Sequence, residues 1–450
     1  EIIGLGDPGC FAADLKASSP SFTTASAGKF VKAFAPDANL RLDSLAVGKR
    51  LTLNASLKGR VNNFDIDVTI GGEVGKLSAG FNLANIDNEQ DITIAGHFKA
   101  DAVDLGAITG NDIFGFVDAE LGTRASFTEE GPSTIIDSLK VDRFGVLGYD
   151  YNNIRARGKI TDEFFDGQLV STDPNVDLSF NGIINYGFNG EMVRTTYKAR
   201  INNLDLHETN LYRRWNESRA SAILDVDYFA TGRMDAIGEY RIDSLVLENE
   251  YKRYEIGGMR METSEENDIF HFVMDSGIAT AELSSDIPIN DAIRNLKYMT
   301  VSRELPGILN VPDDSTGHTF GNVQIGIDIK DADSILEFFL PDLQIADGTS
   351  LQLNGSRNGD LNTLVSSKYF RFKENEFSGL DITFDNLSSS LNAIFTAGEI
   401  RMGGMHLKDN AVSAYVDDNN VDISLNFNDY EDDDFFINFI SEECDDRYRD

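Results

Sequence analysis

Side chains able to do chemistry are present but scattered. Five histidines, His97, His207, His271, His318 and His406, stand apart, and no two have metal-ligand spacing. No cysteine lies near any of them. His207-Glu208 begins like a zinc-binding helix but lacks the second histidine one turn later. The chain has no Gly-x-Ser-x-Gly elbow, no phosphate-binding loop and no dinucleotide fingerprint. The acidic run DYEDDDFF (429–436) offers oxygens to a calcium ion but lacks the Asp-x-Asp-x-Asn-Gly order of a calcium loop. It reads as a solvated turn. RRW (213–215) joins two cations to an aromatic, a set suited to a head group or a partner. The plainer reading is the exposed face of a short helix. We therefore expect no enzyme, no metal and no cofactor.

The informative residues are apolar and alternate. In NVQIGIDIKD (322–331), Val323, Ile325, Ile327 and Ile329 are separated by Gln324, Gly326 and Asp328. Strict alternation places one greasy and one wet face on a strand. The pattern recurs with Leu51 and Leu53, with Phe64, Ile66 and Val68, and with Ile92, Ile94 and Phe98. It returns with Val176, Leu178 and Phe180, and with Ile423, Leu425 and Phe427. These eighteen residues are the candidate lining of an apolar groove. Gly-Gly, Asp-Gly and Asn-Gly pairs punctuate the runs, as in antiparallel hairpins.

Composition agrees with an open β structure. Lys plus Arg is 39 and Asp plus Glu is 75, so 39 − 75 = −36. That field repels nucleic acid and bare anionic head groups, and it keeps a strand-rich chain soluble. Hydrophobic residues make up 41% and Phe alone contributes 30, enough for a large apolar surface. No run of about 18 apolar residues marks a membrane helix. Cys10 and Cys444 lie at opposite ends, and a bridge between them stays open alongside two free thiols. The chain begins at Glu1 without a signal peptide, and we expect an internal fragment of a longer protein.

The elements follow. Helical periodicity is confined to 205–219, to part of 284–305 and to ADSILEFFLPDL (332–343), with Asp333 or Ser334 near its start and Pro341 ending it. GHFKADAVDLGAIT (96–109) and YKARINNLDLHETNL (197–211) form a loose internal repeat, with a weaker copy at 349–372. Three stretches are expected: N-terminal β repeats over 1–150, central repeats with short helical inserts over 151–310, and C-terminal repeats over 311–450. The fold class is mainly β, an elongated antiparallel meander folded into a trough with a hydrophobic interior and a few short helices.

Three passages carry a family resemblance: 154–186, 198–211 and 336–386, the last containing LEFFLPDLQIADGTSLQLNG. They resemble the TamB proteins of the Bacteroidetes, within the wider AsmA-like group. The resemblance implies a periplasmic segment of a translocation and assembly module. Its parent would be anchored in the inner membrane by a segment outside this chain. It would carry phospholipid acyl chains in a hydrophobic groove during outer-membrane biogenesis, beside an Omp85-type barrel partner, with no nucleic acid. The alternative from another class is an extracellular adhesin or surface scaffold of stacked β-sandwiches.

Overall fold

A computed structural model describes residues 2–4, 10–26, 48–86, 91–128, 131–187, 192–230, 236–288, 291–292, 320–386, 390–417, 420–428 and 434–441. The chain divides into two compact units. The first comprises Glu1–Asn189, Val193–Asp225 and Glu248–Lys252, and the second Gly190–Met192, Val226–Leu247 and Arg253–Asp450.

In the first unit the strands are β1 (Ile2–Ile3), β2 (Ala12–Phe22), β3 (Leu51–Arg60), β4 (Asn63–Gly72), β5 (Gly75–Ala84) and β6 (Asp91–Asp104). After helix α1 (Leu105–Thr109) come β7 (Phe114–Thr128), β8 (Gly131–Val146), β9 (Tyr149–Thr161), β10 (Phe164–Asp173), β11 (Val176–Asn185) and β12 (Val193–Asp205). Residues of β13 (Ser218–Ala230) and β14 (Ala236–Asn249) are divided between the units. The second unit holds β15 (Arg253–Glu266), β16 (Ile269–Ser276), β17 (Ala279–Ser285) and β18 (Val323–Ile329). Helix α2 (Asp333–Phe339) precedes β19 (Leu343–Ile345), β20 (Ser350–Gly355), β21 (Leu361–Phe372) and β22 (Asn375–Asp385). The described chain ends with β23 (Leu391–Met402), β24 (Met405–Asp417), β25 (Asn420–Asn428) and β26 (Asp434–Ser441).

The expected fold class holds: mainly β, an antiparallel meander with few short helices. From β2 to β12 each strand pairs with the next. From β15 to β26 the same rule holds, except that β18 pairs with β20 and the short β19 lies against the far end of β21. Among the described residues no pairing closes either unit into a barrel.

Helices depart from expectation in two places. Residues 206–217 form turns and bends rather than an amphipathic helix. Asp205 explains why. Its Oδ1 accepts the Glu208 N–H at 2.9 Å, while Arg219 holds Oδ2 at 3.4 Å. The chain is thereby turned at the strand end. Conversely, α1 was not anticipated. Asp104 caps it by accepting the Ala107 N–H at 2.9 Å, and Gly110 ends it at φ 69°. The internal repeat is thus one physical device, an Asp-Leu at a strand end whose carboxylate accepts the N–H three residues on. Helix α2 falls where expected and stops before Pro341, although its start at Ala332 carries no side-chain cap. Most of the helix expected within 284–305 lies outside the described residues.

Many buried side chains lie at strand ends, and others at strand centres, as Val226 in β13 and the paired Ser367, Leu380, Ala397 and Asn410 across β21 to β24. Leu51 and Val74 form a small core with Phe22, Ile70, Ala107 and Ile108 beneath α1. Phe338 of α2 is fully buried and meets Tyr254 edge-on at 5.8 Å. At the β10–β11 turn, Asp173 is 1% exposed and accepts from Tyr149 Oη at 2.5 Å, the Asn152 N–H at 2.7 Å, Asn152 Nδ2 at 3.2 Å and the Asn175 N–H at 2.8 Å. Burial works to raise this carboxyl. The bonds from Tyr149, Asn175 and Asn152 outweigh it and hold it below the usual carboxylate range.

Three glycines meet across neighbouring strands in the first unit. Gly158, Gly167 and Gly182 are direct neighbours across β9, β10 and β11. The Phe165 ring lies 2.6 Å from where a Gly167 Cβ would stand, and the Arg157 carbonyl 2.4 Å away. Aromatic rings cover the backbone that these glycines leave bare: Phe165 and Phe180 centroids are 6.2 Å apart, and Phe180 and Tyr197 5.3 Å. A Gly167→Val chain should lose about 2 kcal/mol through overpacking, read as a lower urea midpoint at unchanged slope.

Candidate functional site

Register converts the separate alternating runs into continuous rows. In the first unit one row runs Ala17, Ala55, Val68, Ala79, Phe98, Leu121, Leu139, Ala156, Leu169, Phe180, Ala199, each the direct cross-strand partner of the next. A row beside it includes Leu53, Ile70, Leu77, Val141, Ile154 and Leu178. The second unit has its own row: Met261, Met274, Ala281, Ile327, Leu351, Val365, Ile382, Phe395, Val412, Leu425, Ile437. Beside it run Phe272, Leu283, Ile325, Leu353, Phe384 and Ile423.

None of the twenty-two residues in the two principal rows is buried. Ala17 and Ile437 are exposed and the other twenty are half-buried. In a β-sandwich the centre of such a row meets an opposing sheet and loses its exposure. Here the rows keep partial exposure along their length. Each row crosses ten inter-strand steps of about 4.8 Å, roughly 48 Å of apolar stripe per unit.

The eighteen residues singled out by alternation fall on these faces, eleven in the first unit and seven in the second. Fourteen are half-buried on the open face: Leu53, Ile66, Val68, Ile92, Ile94, Phe98, Leu178, Phe180, Ile325, Ile327, Ile329, Ile423, Leu425 and Phe427. Four differ. Leu51, Phe64, Val176 and Val323 are 6%, 3%, 4% and 4% exposed at strand ends, where they serve as local core. Phe64, for instance, packs on Phe11 with centroids 6.0 Å apart. Several row members escape sequence reading. Leu121, Leu139 and Leu169 stand in or beside strands whose β-bulges break the period of two, as between Ile136 and Leu139. Ala79 and Ala156 are too small to signal a face until their partners are known.

The opposite faces are mostly wet, although Val170, Val273, Leu364 and Ile394 stand exposed on them. Lys99 bridges to Glu120 at 3.0 Å, Arg124 to Asp137 at 2.5 Å and Lys330 to Asp275 at 2.7 Å, all across strands and all exposed. Such pairs contribute little stability but keep that face in water. Clefts of about 640 and 610 Å³ share Asp67, Gly80, His97 and Gly122 in their lining, and the second also includes Val68, Ala79, Phe98 and Leu121 of the first row. A further cleft of about 720 Å³ sits at turn tips, between Asp112–Gly115, Gly145–Asp150 and His207–Arg213.

The histidines stay dispersed. His97 is exposed, His207 Nδ1 lies 2.6 Å from the Trp215 carbonyl, and His271 faces Ser264 and Ser284. His406 Nε2 is 3.2 Å from Glu399. His318 and most of the 429–436 run lie outside the described residues. Among the described residues no three His, Cys, Asp or Glu side chains converge as metal ligands. Cys10 is exposed and unpaired, and Cys444 lies outside the described residues. No described helix is long and apolar enough to cross a membrane. In comparisons with known proteins, no family model, curated protein or solved structure matches this chain.

Proposed function

We propose that this chain is a lipid-carrying segment whose apolar sheet faces hold phospholipid acyl chains while head groups remain in water. One observation carries the reading: each unit presents an eleven-strand apolar row with no buried member. Removing that surface from water favours any long apolar ligand by about 25 cal/mol per Å² covered. An acyl chain of one bilayer leaflet reaches about 15 Å, half the ~30 Å hydrocarbon core. Each stripe is therefore long enough for several lipids in file. The process is passive: no side chain makes or breaks a bond, and the charged opposite face keeps the loaded chain soluble.

The resemblance to TamB proteins extends the reading. On that view the chain is a periplasmic part of a bridge between inner and outer membranes, with an Omp85-type barrel as partner and an inner-membrane anchor outside this segment. Stacked β-sandwiches of an adhesin would need facing sheets that bury the rows, and the half-exposed rows weigh against them. Native mass spectrometry with lipid extraction, on protein purified from a bacterial host, tests the proposal. Copurified phospholipid is the expected result. A lipid-free, monodisperse chain that also takes up none from vesicles would refute it.

A further inference from the structure

Turn tips in the first unit are joined into one exposed patch. The Leu147 N–H donates to the Ile113 carbonyl at 2.8 Å, and Asn210 Nδ2 donates to the Leu147 carbonyl at 2.8 Å. These bonds tie the β6–β7, β8–β9 and β12–β13 connections to one another. The last connection is tied in turn to residues 250–252. Asn216 donates its N–H and Nδ2 to Glu250 at 3.4 and 3.3 Å, and the Trp215 ring meets Tyr251 edge-on at 6.1 Å. Every tip presents a large apolar side chain: Ile113 is 48% exposed, Leu147 53%, Leu211 52% and Tyr251 78%. Hydrogen-bonded tips of this kind do not collapse to hide these side chains.

Charge at the β12–β13 connection departs from the rest of the chain, while Asp112, Asp150 and Glu250 stand at the neighbouring tips. Residues 205–219 carry three arginines and three carboxylates, 3 − 3 = 0, against −36 overall. Two acidic groups of the patch are engaged within the protein, while Glu208 and Glu217 are exposed. Asp205 is covered by Arg219, and Glu250 also accepts the Glu217 N–H at 3.3 Å. Arg213 Nε rests on the neutral amide oxygen of Asn210 at 2.8 Å, and the Arg214 guanidinium lies 6.0 Å over Trp215. Tryptophan and tyrosine, apolar at one end and polar at the other, prefer the boundary between hydrocarbon and water. Arginine binds phosphate through its fork of donors.

We infer that this patch docks the chain on a zwitterionic phospholipid surface. Trp215 and Tyr251 sit at head-group level, Leu211, Leu147 and Ile113 enter below them, and Arg213 meets lipid phosphate. The overall negative charge opposes strongly anionic membranes, which leaves zwitterionic lipid as the fitting surface. The inference does not rest on the acyl-carrying reading of the sheet faces.

The chain has one tryptophan, so its fluorescence reports on this patch alone. Full-length chain is titrated with phosphatidylcholine vesicles. Trp215 emission should shift to the blue and be quenched by bromine-labelled acyl chains, and the chain should cosediment with the vesicles. Tyr251→Asp and Leu211→Asp, at exposed positions, should each weaken vesicle binding at least tenfold with the circular dichroism spectrum unchanged. Gln324→Asp, exposed off the apolar rows in the second unit, should leave vesicle binding intact. Unshifted emission with no cosedimentation would overturn the inference. So would an equal shift with short-chain phosphatidylcholine below its micelle concentration, which would indicate a head-group ligand rather than a surface.

Discussion

An Ile327→Asp chain should purify with at least tenfold less bound phospholipid than the parent. Ile327 stands mid-row, paired with Ala281 on one side and Leu351 on the other, and its side chain is half-buried. A carboxylate there keeps its water only if no acyl chain lies across it, and stripping that water is costly. Tenfold corresponds to about 1.4 kcal/mol, a small demand on a desolvated charge. Gln324→Asp is the matched control. Gln324 is exposed on the opposite face between Ser284 and Asn354, and its replacement should leave bound lipid unchanged. Lipid extraction and mass spectrometry of the three proteins decide the matter, and equal loss at both positions would contradict a one-sided stripe.

The second large effect is on stability. Asp173→Ala should cost the first unit about 3 kcal/mol, because it strands the Tyr149 hydroxyl, the Asn152 N–H and the Asn175 N–H away from water. Asp166→Ala, in the same strand but exposed, should cost less than about 0.5 kcal/mol. Urea unfolding of the two variants measures the difference. The sign of the pH dependence follows from the depressed Asp173 carboxyl. Its folded value lies below the unfolded value of about 3.9, so its stabilisation is complete well above pH 4. It is lost as pH falls through the folded value. Asp286 behaves alike. Burial works to raise its carboxyl, but Arg357 at 2.7 Å and Asn322 at 2.7 and 2.8 Å hold it low. Acid unfolding should therefore steepen below about pH 4, and Asp173→Ala should flatten part of that slope.

Alternation made the strands legible because an antiparallel sheet with one wet face imposes a period of two on side chains. It also placed every one of the eighteen residues on an apolar face. It did not separate Leu51, Phe64, Val176 and Val323, at the strand ends, from the half-exposed centres. That distinction depends on what packs over a position, such as Phe11 over Phe64. Register was hidden as well. Phe98 meets Leu121, and Leu121 meets Leu139, only once the bulges in β7 and β8 are counted. The short helix expected over 205–219 failed for a local reason. Three apolar residues at helical spacing lost to an Asp at the strand end that caps a turn. The same Asp-Leu pair after β6 did begin a helix, α1, so the dipeptide marks a change of direction rather than a type of element.

The most direct test places a photoreactive residue at single positions on both faces and cross-links the chain in phospholipid vesicles or cells. Positions 98, 169, 327 and 395, on the apolar rows, should yield adducts with lipid acyl chains. Positions 97, 168, 324 and 413, on the opposite face, should yield few. That contrast would establish the half-exposed rows as the surface that carries lipid. Adducts of equal yield on both faces, or none on the rows, would contradict it.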